Sequence, residues 1–126
     1  MHQQRTTLHP DTVQRAAETL GLLAASVRLH IVHSLLEADL DVSRIADRVD
    51  ATLPTVSQHL TKLKLAGIVR RHRQGRHHVY SLTDRRIGAI AELALTTATT
   101  TEPDHHDSPG IGRAVNNGWQ KGATDR

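Results

Sequence analysis

Two short aliphatic repeats, set close together, limit the folds open to this chain more than any other feature. Val42, Ile45, Ala46 and Val49 recur at i, i+3, i+4 and i+7, and Val56, Leu60 and Leu63 follow at helical spacing. Only Asp50-Ala51-Thr52 separates the two patterns, enough chain for a tight turn and nothing larger. Asp41 is placed to cap the first of these helices and Thr52 the second, and Pro54 is tolerated in a first turn. Gly67 stands where a left-handed C-terminal cap is expected. Strand-like stretches at 68–73 and 78–82 then flank Gln74-Gly75-Arg76-His77, a glycine-containing turn of the hairpin kind. Helix, turn, helix and hairpin in that order predict a winged helix-turn-helix. Its recognition helix spans roughly 53–66, and its wing lies around 70–78.

The flanks complete the domain. Pro10-Asp11 opens a first helix, with Asp11 as its expected N-cap and Val13, Ala16, Ala17 and Leu20 at helical spacing. A second helix starts near Ser26, with Leu29, Val32, Leu35 and Leu36 on one side. Asp84 precedes a fifth, carrying Ile87, Ile90, Ala91, Leu93 and Ala94. This helix is expected to decay in the threonine run from Thr96, since threonine is a poor helix former. The expectation is a mostly α (α+β) fold of about five helices plus a two-stranded β-hairpin wing. Residues 1–9 read as a flexible arm, 10–98 as the DNA-binding and dimerisation domain, and 99–126 as a disordered, histidine-containing tail.

Charge sharpens this outline. The window 51–83 contains no Asp or Glu but holds Lys62, Lys64, Arg70, Arg71, Arg73 and Arg76, hence +6, while the remaining 10 basic and 13 acidic residues sum to −3. The positive field therefore coincides with the reading helix and wing, and phosphate backbones are the usual partners of such a segment. The bland alternatives are a solubilising face and a bundle whose polar residues are merely solvated. Against them, charge and helix pattern are separate observations that agree. Thr55, Ser57, Gln58, His59 and Lys62 are expected on the side of the recognition helix that faces the major groove. Gln58 carries the donor–acceptor pair that suits adenine, and Lys62 suits phosphate. Arg73, Gln74, Arg76 and His77 lie at the hairpin tip, within reach of the neighbouring backbone or minor groove.

Ser26-Val27-Arg28-Leu29-His30-Ile31-Val32, Val42-Ser43-Arg44-Ile45-Ala46, Thr55-Val56-Ser57-Gln58-His59-Leu60-Thr61-Lys62-Leu63, Ala66-Gly67-Ile68-Val69 and Gly75-Arg76 with Val79-Tyr80-Ser81-Leu82 resemble the ArsR/SmtB family of bacterial regulators. The likeness covers roughly residues 13–95. It implies a homodimer paired through its first and last helices, bound to a double-stranded DNA operator and released by metal. In the zinc, cobalt and nickel sensors of that family the resemblance implies a site on the last helix. Asp84 matches its first ligand, Arg86 stands at the next, and Thr97 and Thr100 fall near the partner positions.

With no cysteine, disulfides and thiolate metal sites are excluded. Ten histidines keep imidazole ligation open. His105 and His106, with Asp104 and Asp107 beside them, are the best metal candidates. They join Asp84 as the expected ligands, nickel first and zinc or cobalt otherwise, with His2, His9 and the terminal amine available to complete a site. His30 and His33 form an i, i+3 pair that either chelates or is simply solvated. The leading expectation is a metal-responsive repressor. The alternative is a DNA-binding regulator governed by another ligand or by a protein co-regulator. A metal-dependent hydrolase lacks its signatures: there is no His-Glu-x-x-His, nucleophile elbow or phosphate loop. No segment reaches the ~20 apolar residues that span a bilayer, and no organic cofactor is implied, so a cytoplasmic protein is expected.

Overall fold

The computed structural model describes residues 7–100. The elements run α1 (Pro10–Leu23), α2 (Ser26–Glu37), β1 (Leu40–Asp41), α3 (Val42–Val49), α4 (Leu53–Leu65), β2 (Val69–Gln74), β3 (His77–Leu82) and α5 (Arg85–Thr100). No single helix among the described residues is long and apolar enough to cross a membrane. Most of the arm and the tail from Thr101 onward, including His2, His105 and His106, lie outside the described residues.

The caps of α3 and α4 fall where the sequence puts them. Asp41 Oδ1 accepts from Arg44 N at 2.9 Å, and Thr52 Oγ1 accepts from Thr55 N at 3.3 Å. At α1 the cap is His9 rather than Asp11: His9 Nδ1 accepts from Asp11 N at 3.1 Å. Pro10 is the reason. Its fixed φ and missing N–H suit the first helical position, which moves the cap one residue before it. Asp11 then sits in the first turn, where its charge suits the positive end of the helix.

The core forms where α2, α3 and α4 cross beneath the sheet. Ile31, Val32 and Leu35 of α2 meet Ile45 and Val49 of α3 and Val56, Leu60 and Leu63 of α4, all buried. Ile68, Val69 and Leu82 close it from the sheet side. Burying a Leu, Ile or Val side chain is worth about 1.5–3 kcal/mol, so this aliphatic set is a sufficient core without Phe. The expected stripe of α1 behaves otherwise. Val13, Ala16, Ala17 and Leu20 all remain exposed, and α1 enters the core through Leu23.

The sheet has three strands rather than two, in the order β1-β3-β2 and antiparallel throughout. Leu40 pairs with Tyr80 and Asp41 with Val79, so β1 covers part of the β3 edge that a bare hairpin would leave open. Between β2 and β3 the register runs from Val69 opposite Leu82 to Gln74 opposite His77. The strands therefore reach one residue further at the tip than expected and close on Gly75-Arg76. Gly75 has φ +67°, as the first central position of a type II′ hairpin turn requires.

Helix α5 packs on α2 through its first two turns. A Cβ at Gly88 would lie 2.7 Å from Leu36 Cδ1, 2.8 Å from Leu82 Cδ1 and 3.0 Å from Leu36 Cβ, so a larger residue there requires its neighbours to shift. Arg85 Nη2 donates to Leu36 O at 2.9 Å, and Ala91 is fully buried. His33 Nε2 meets Glu92 Oε1 at 2.5 Å, which engages one member of the expected His30–His33 pair. A compact unit ends at Ala94, and the last turns of α5 belong to a second. There the helix continues through the threonine run to Thr100 instead of decaying at Thr96. Thr99 Oγ1 donates back to Leu95 O at 2.9 Å, which satisfies the hydroxyl inside the helix.

Candidate nucleic-acid interface

The turn between α3 and α4 sets the interface. Asp50 adopts a left-handed conformation (φ 57°, ψ 52°) and its N–H caps α3 at Ala46 O. Aspartate is among the few non-glycine residues that tolerate this region. Ala51 N also reaches Ala46 O at 3.1 Å, and the chain re-enters a helix at Leu53. With Val56, Leu60 and Leu63 buried, the opposite side of α4 is left to solvent. Thr55, Gln58 and Lys62 follow one another at i, i+3 and i+7 and so share a stripe, with Ser57 beside them.

Those residues are not equally free. Ser57, Gln58 and Lys62 are exposed, while Thr55 is half-buried. Thr55 Oγ accepts from Thr52 Oγ1 at 2.9 Å, so part of its hydrogen-bonding capacity goes to the cap and its own hydroxyl proton is what remains to offer. His59 stands apart from the stripe. It is half-buried, and its Nδ1 lies 3.3 Å from Arg28 Nη1 on α2. Burial lowers its pKa from the ordinary histidine value, and the positive charges of Arg28 and then Lys62 lower it further.

At the wing Arg73, Gln74, Arg76 and His77 are all exposed, and Arg73 Nε donates to Gly75 O at 3.4 Å across the turn. The wing is tied to the reading helix by short backbone bonds. Gly67 N donates to Lys64 O at 3.0 Å and Ile68 N to Leu63 O at 2.9 Å, with Gly67 at φ +79°. Arg70 and Arg71, exposed on β2, extend the basic surface beyond the residues singled out by sequence, although the acid-free window had already enclosed them. The ion pairs found among the described residues join His9 to Asp11, His33 to Glu92, Arg48 to Glu37 and Arg86 to Asp84. None of them draws on a cation of the window.

The arrangement of reading helix, short turn and basic hairpin agrees with what comparison shows. Residues 25–71 match the model of the bacterial regulatory protein arsR family. The HTH-type transcriptional regulator KmtR of Mycobacterium tuberculosis is 32% identical over 84% of this chain and 77% of its own length. This chain belongs to the arsR family of bacterial regulatory proteins. The cadmium resistance transcriptional regulatory protein CadC of Listeria innocua is 34% identical over 71% of this chain and 87% of its own. Among solved structures, a homodimeric winged helix-turn-helix DNA-binding domain from Mycobacterium bovis, a possible ArsR-family regulator, superposes with a TM-score of 0.64 at 25% identity. It covers 82% of this chain and 97% of that one. These relatives are transcriptional regulators, and an arsR-family chain with this fold is a DNA-binding regulator.

Of the expected metal ligands only Asp84 lies among the described residues, and it is engaged by Arg86. Asp84 caps α5: its Oδ1 accepts from Arg86 N at 2.9 Å, and its carboxylate receives Arg86 Nε at 3.1 Å and Nη2 at 2.8 Å. Arg86, at the second expected position, has no lone pair to offer a metal. Among the described residues there is no group of three or more His, Cys, Asp or Glu able to hold an ion.

Proposed function

We propose that this chain is a homodimeric regulator that reads double-stranded DNA through α4 and steadies itself through the wing. The observation that carries this is the polar stripe of exposed Gln58 and Lys62 with half-buried Thr55, and exposed Ser57 beside them, inside a sequence window of net +6 that contains no acid. Ser57 and Gln58 approach base edges, with Gln58 suited to adenine, and Lys62 meets phosphate. Arg73, Gln74, Arg76 and His77 contact the backbone or minor groove beside the site.

Dimerisation is supported by apolar side chains exposed on α1 among the described residues. Val13 (50% exposed) and Leu20 (53%) stand exposed there. A domain this small gains stability by burying such faces against a second copy. The Mycobacterium bovis relative is itself homodimeric.

Control is proposed to come from a ligand other than a metal bound at α5, or from a protein partner, because Arg86 takes up the Asp84 carboxylate. A nickel, zinc or cobalt response through His105 and His106 is the second reading, and the cadmium-resistance relative favours it. DNA binding by the full chain with and without nickel decides between them. Affinity unchanged within about threefold supports control without metal, since allosteric coupling is typically larger. A change beyond about tenfold that is lost in His105→Ala with His106→Ala replaces it with the metal reading.

A further inference from the structure

We infer that Arg28 is a positioning residue for the nucleic-acid interface: by donating to His59 Nδ1 it holds the imidazole as its Nε2–H tautomer and leaves one donor on the flank of α4 for a phosphate oxygen. The inference rests on the DNA-reading role of α4 and adds a residue outside it.

Arg28 is fixed at two points. Its Nε donates to Leu22 O at 2.7 Å, at the end of α1, and its Nη1 lies 3.3 Å from His59 Nδ1. A guanidinium offers donors and no acceptor, so the bond to His59 exists only if Nδ1 presents its lone pair. The ring proton is then on Nε2, the nitrogen on the other side of the ring. Among the described residues Nε2 has no hydrogen-bond partner, and the ring is only half-buried. His59 lies between the buried stripe of Val56, Leu60 and Leu63 and the exposed stripe of Gln58 and Lys62. That is the flank along which a groove-bound helix meets the sugar-phosphate backbone.

The cation beside the ring keeps the tautomer single. Burial, Arg28 and Lys62 all favour the neutral imidazole, so Nδ1 stays free to accept. The same guanidinium joins three elements, the end of α1, the first turn of α2 and the middle of α4. Removing it frees both the rotamer and the tautomer of His59 without touching the exposed stripe itself.

The test pairs imidazole nitrogen NMR on the free full-length chain with binding to a duplex selected from random sequence by the wild-type protein. In the wild type His59 is expected to show protonated Nε2 and unprotonated Nδ1, and Arg28→Ala is expected to give a mixture. Arg28→Ala and His59→Ala are each expected to weaken binding about tenfold, and the double variant no more than about threefold beyond either, because one residue acts through the other. His59→Gln, whose amide nitrogen falls near the Nε2 position, is expected to stay within about threefold of wild type. Thermal melts confirm that each variant folds. Should Arg28→Ala not fold, the wild-type tautomer and the contrast between His59→Gln and His59→Ala carry the test. An Nδ1–H ring in a protein that binds the duplex overturns the inference alone. So do additive losses in the double variant, or a His59→Gln as weak as His59→Ala. A wild type that binds no duplex DNA overturns the interface with it.

Discussion

Arg86 closes on Asp84 with three donors, its backbone N at 2.9 Å, Nε at 3.1 Å and Nη2 at 2.8 Å. The side-chain bond, then the backbone bond, lower the Asp84 pKa from 3.8 to about 2. A carboxylate titrated by NMR is therefore expected to show a midpoint near 2 in the wild type and a return toward 3.8 in Arg86→Ala. Since the folded value lies below the unfolded one, the contribution to stability is fully present above the unfolded value and is lost as pH falls through the folded one. Both groups are at the surface, so the loss is small and the titration, not the melt, is its readout. A midpoint that does not move in Arg86→Ala would mean the pair is absent in solution.

Charge placed on the exposed apolar side chains of α1 should separate the copies. Val13→Glu and Leu20→Glu each replace an exposed apolar side chain of α1, so the single chain keeps its core. Sedimentation is expected to show dimer for the wild type and monomer for each variant, with helical content preserved. A variant that remains dimeric at micromolar concentration would place the interface elsewhere.

Gly88 offers a contest between two known effects. Alanine in a helix is favoured over glycine by about 1 kcal/mol, whereas forcing a methyl into a filled space costs about 1–3 kcal/mol. Here the added Cβ meets Leu36 Cδ1, Leu82 Cδ1 and, at 3.0 Å, Leu36 Cβ. Leucine tips yield, but Leu36 Cβ moves only with its helix. Gly88→Ala is expected to be destabilising by up to about 2 kcal/mol, and Gly88→Val by more. Denaturant unfolding reads both, and a stabilised Gly88→Ala would show that α5 is free to shift outward.

In the core Leu60 is 1% exposed at the crossing of the helices. Leu60→Ala is expected to cost about 2–5 kcal/mol, a large share of the stability of a small domain. Leu65→Ala, at an exposed position of the same helix, is the control and is expected to change stability by under about 0.5 kcal/mol. Equal losses at the two positions would contradict the burial assigned to α4.

What could be read from sequence follows the range of the interactions involved. Asp41, Thr52, Gly67 and Gly75 act within three or four residues of themselves, so their roles are written locally, and the structure bears them out. The strand at Leu40 and Asp41 has no local pattern to announce it, because it exists through pairing with Tyr80 and Val79 some forty residues later. Arg28 and His59 are 31 residues apart, and nothing in either segment marks the other as its partner. The α1 stripe was legible as helical but not as uncovered, since periodicity tells which residues share a face and not what meets that face. In the threonine run, propensity was outweighed by continuation of a helix already nucleated upstream, inside which the Thr99 hydroxyl finds a partner in Leu95 O. At the interface the stripe and the wing came from sequence, whereas the diversion of His59 to Arg28 and of part of Thr55 to the cap required the structure.

The most direct measurement is the salt dependence of binding to the selected duplex and to a scrambled one, for wild type, Gln58→Ala and Arg76→Ala. Arg76→Ala is expected to weaken both duplexes alike and to flatten the salt slope by about 1, as loss of one phosphate contact does. Gln58→Ala is expected to leave the slope unchanged and to lose about 1–3 kcal/mol of preference for the selected duplex. If both variants bind both duplexes as the wild type does, α4 and the wing are not the surface that reads DNA.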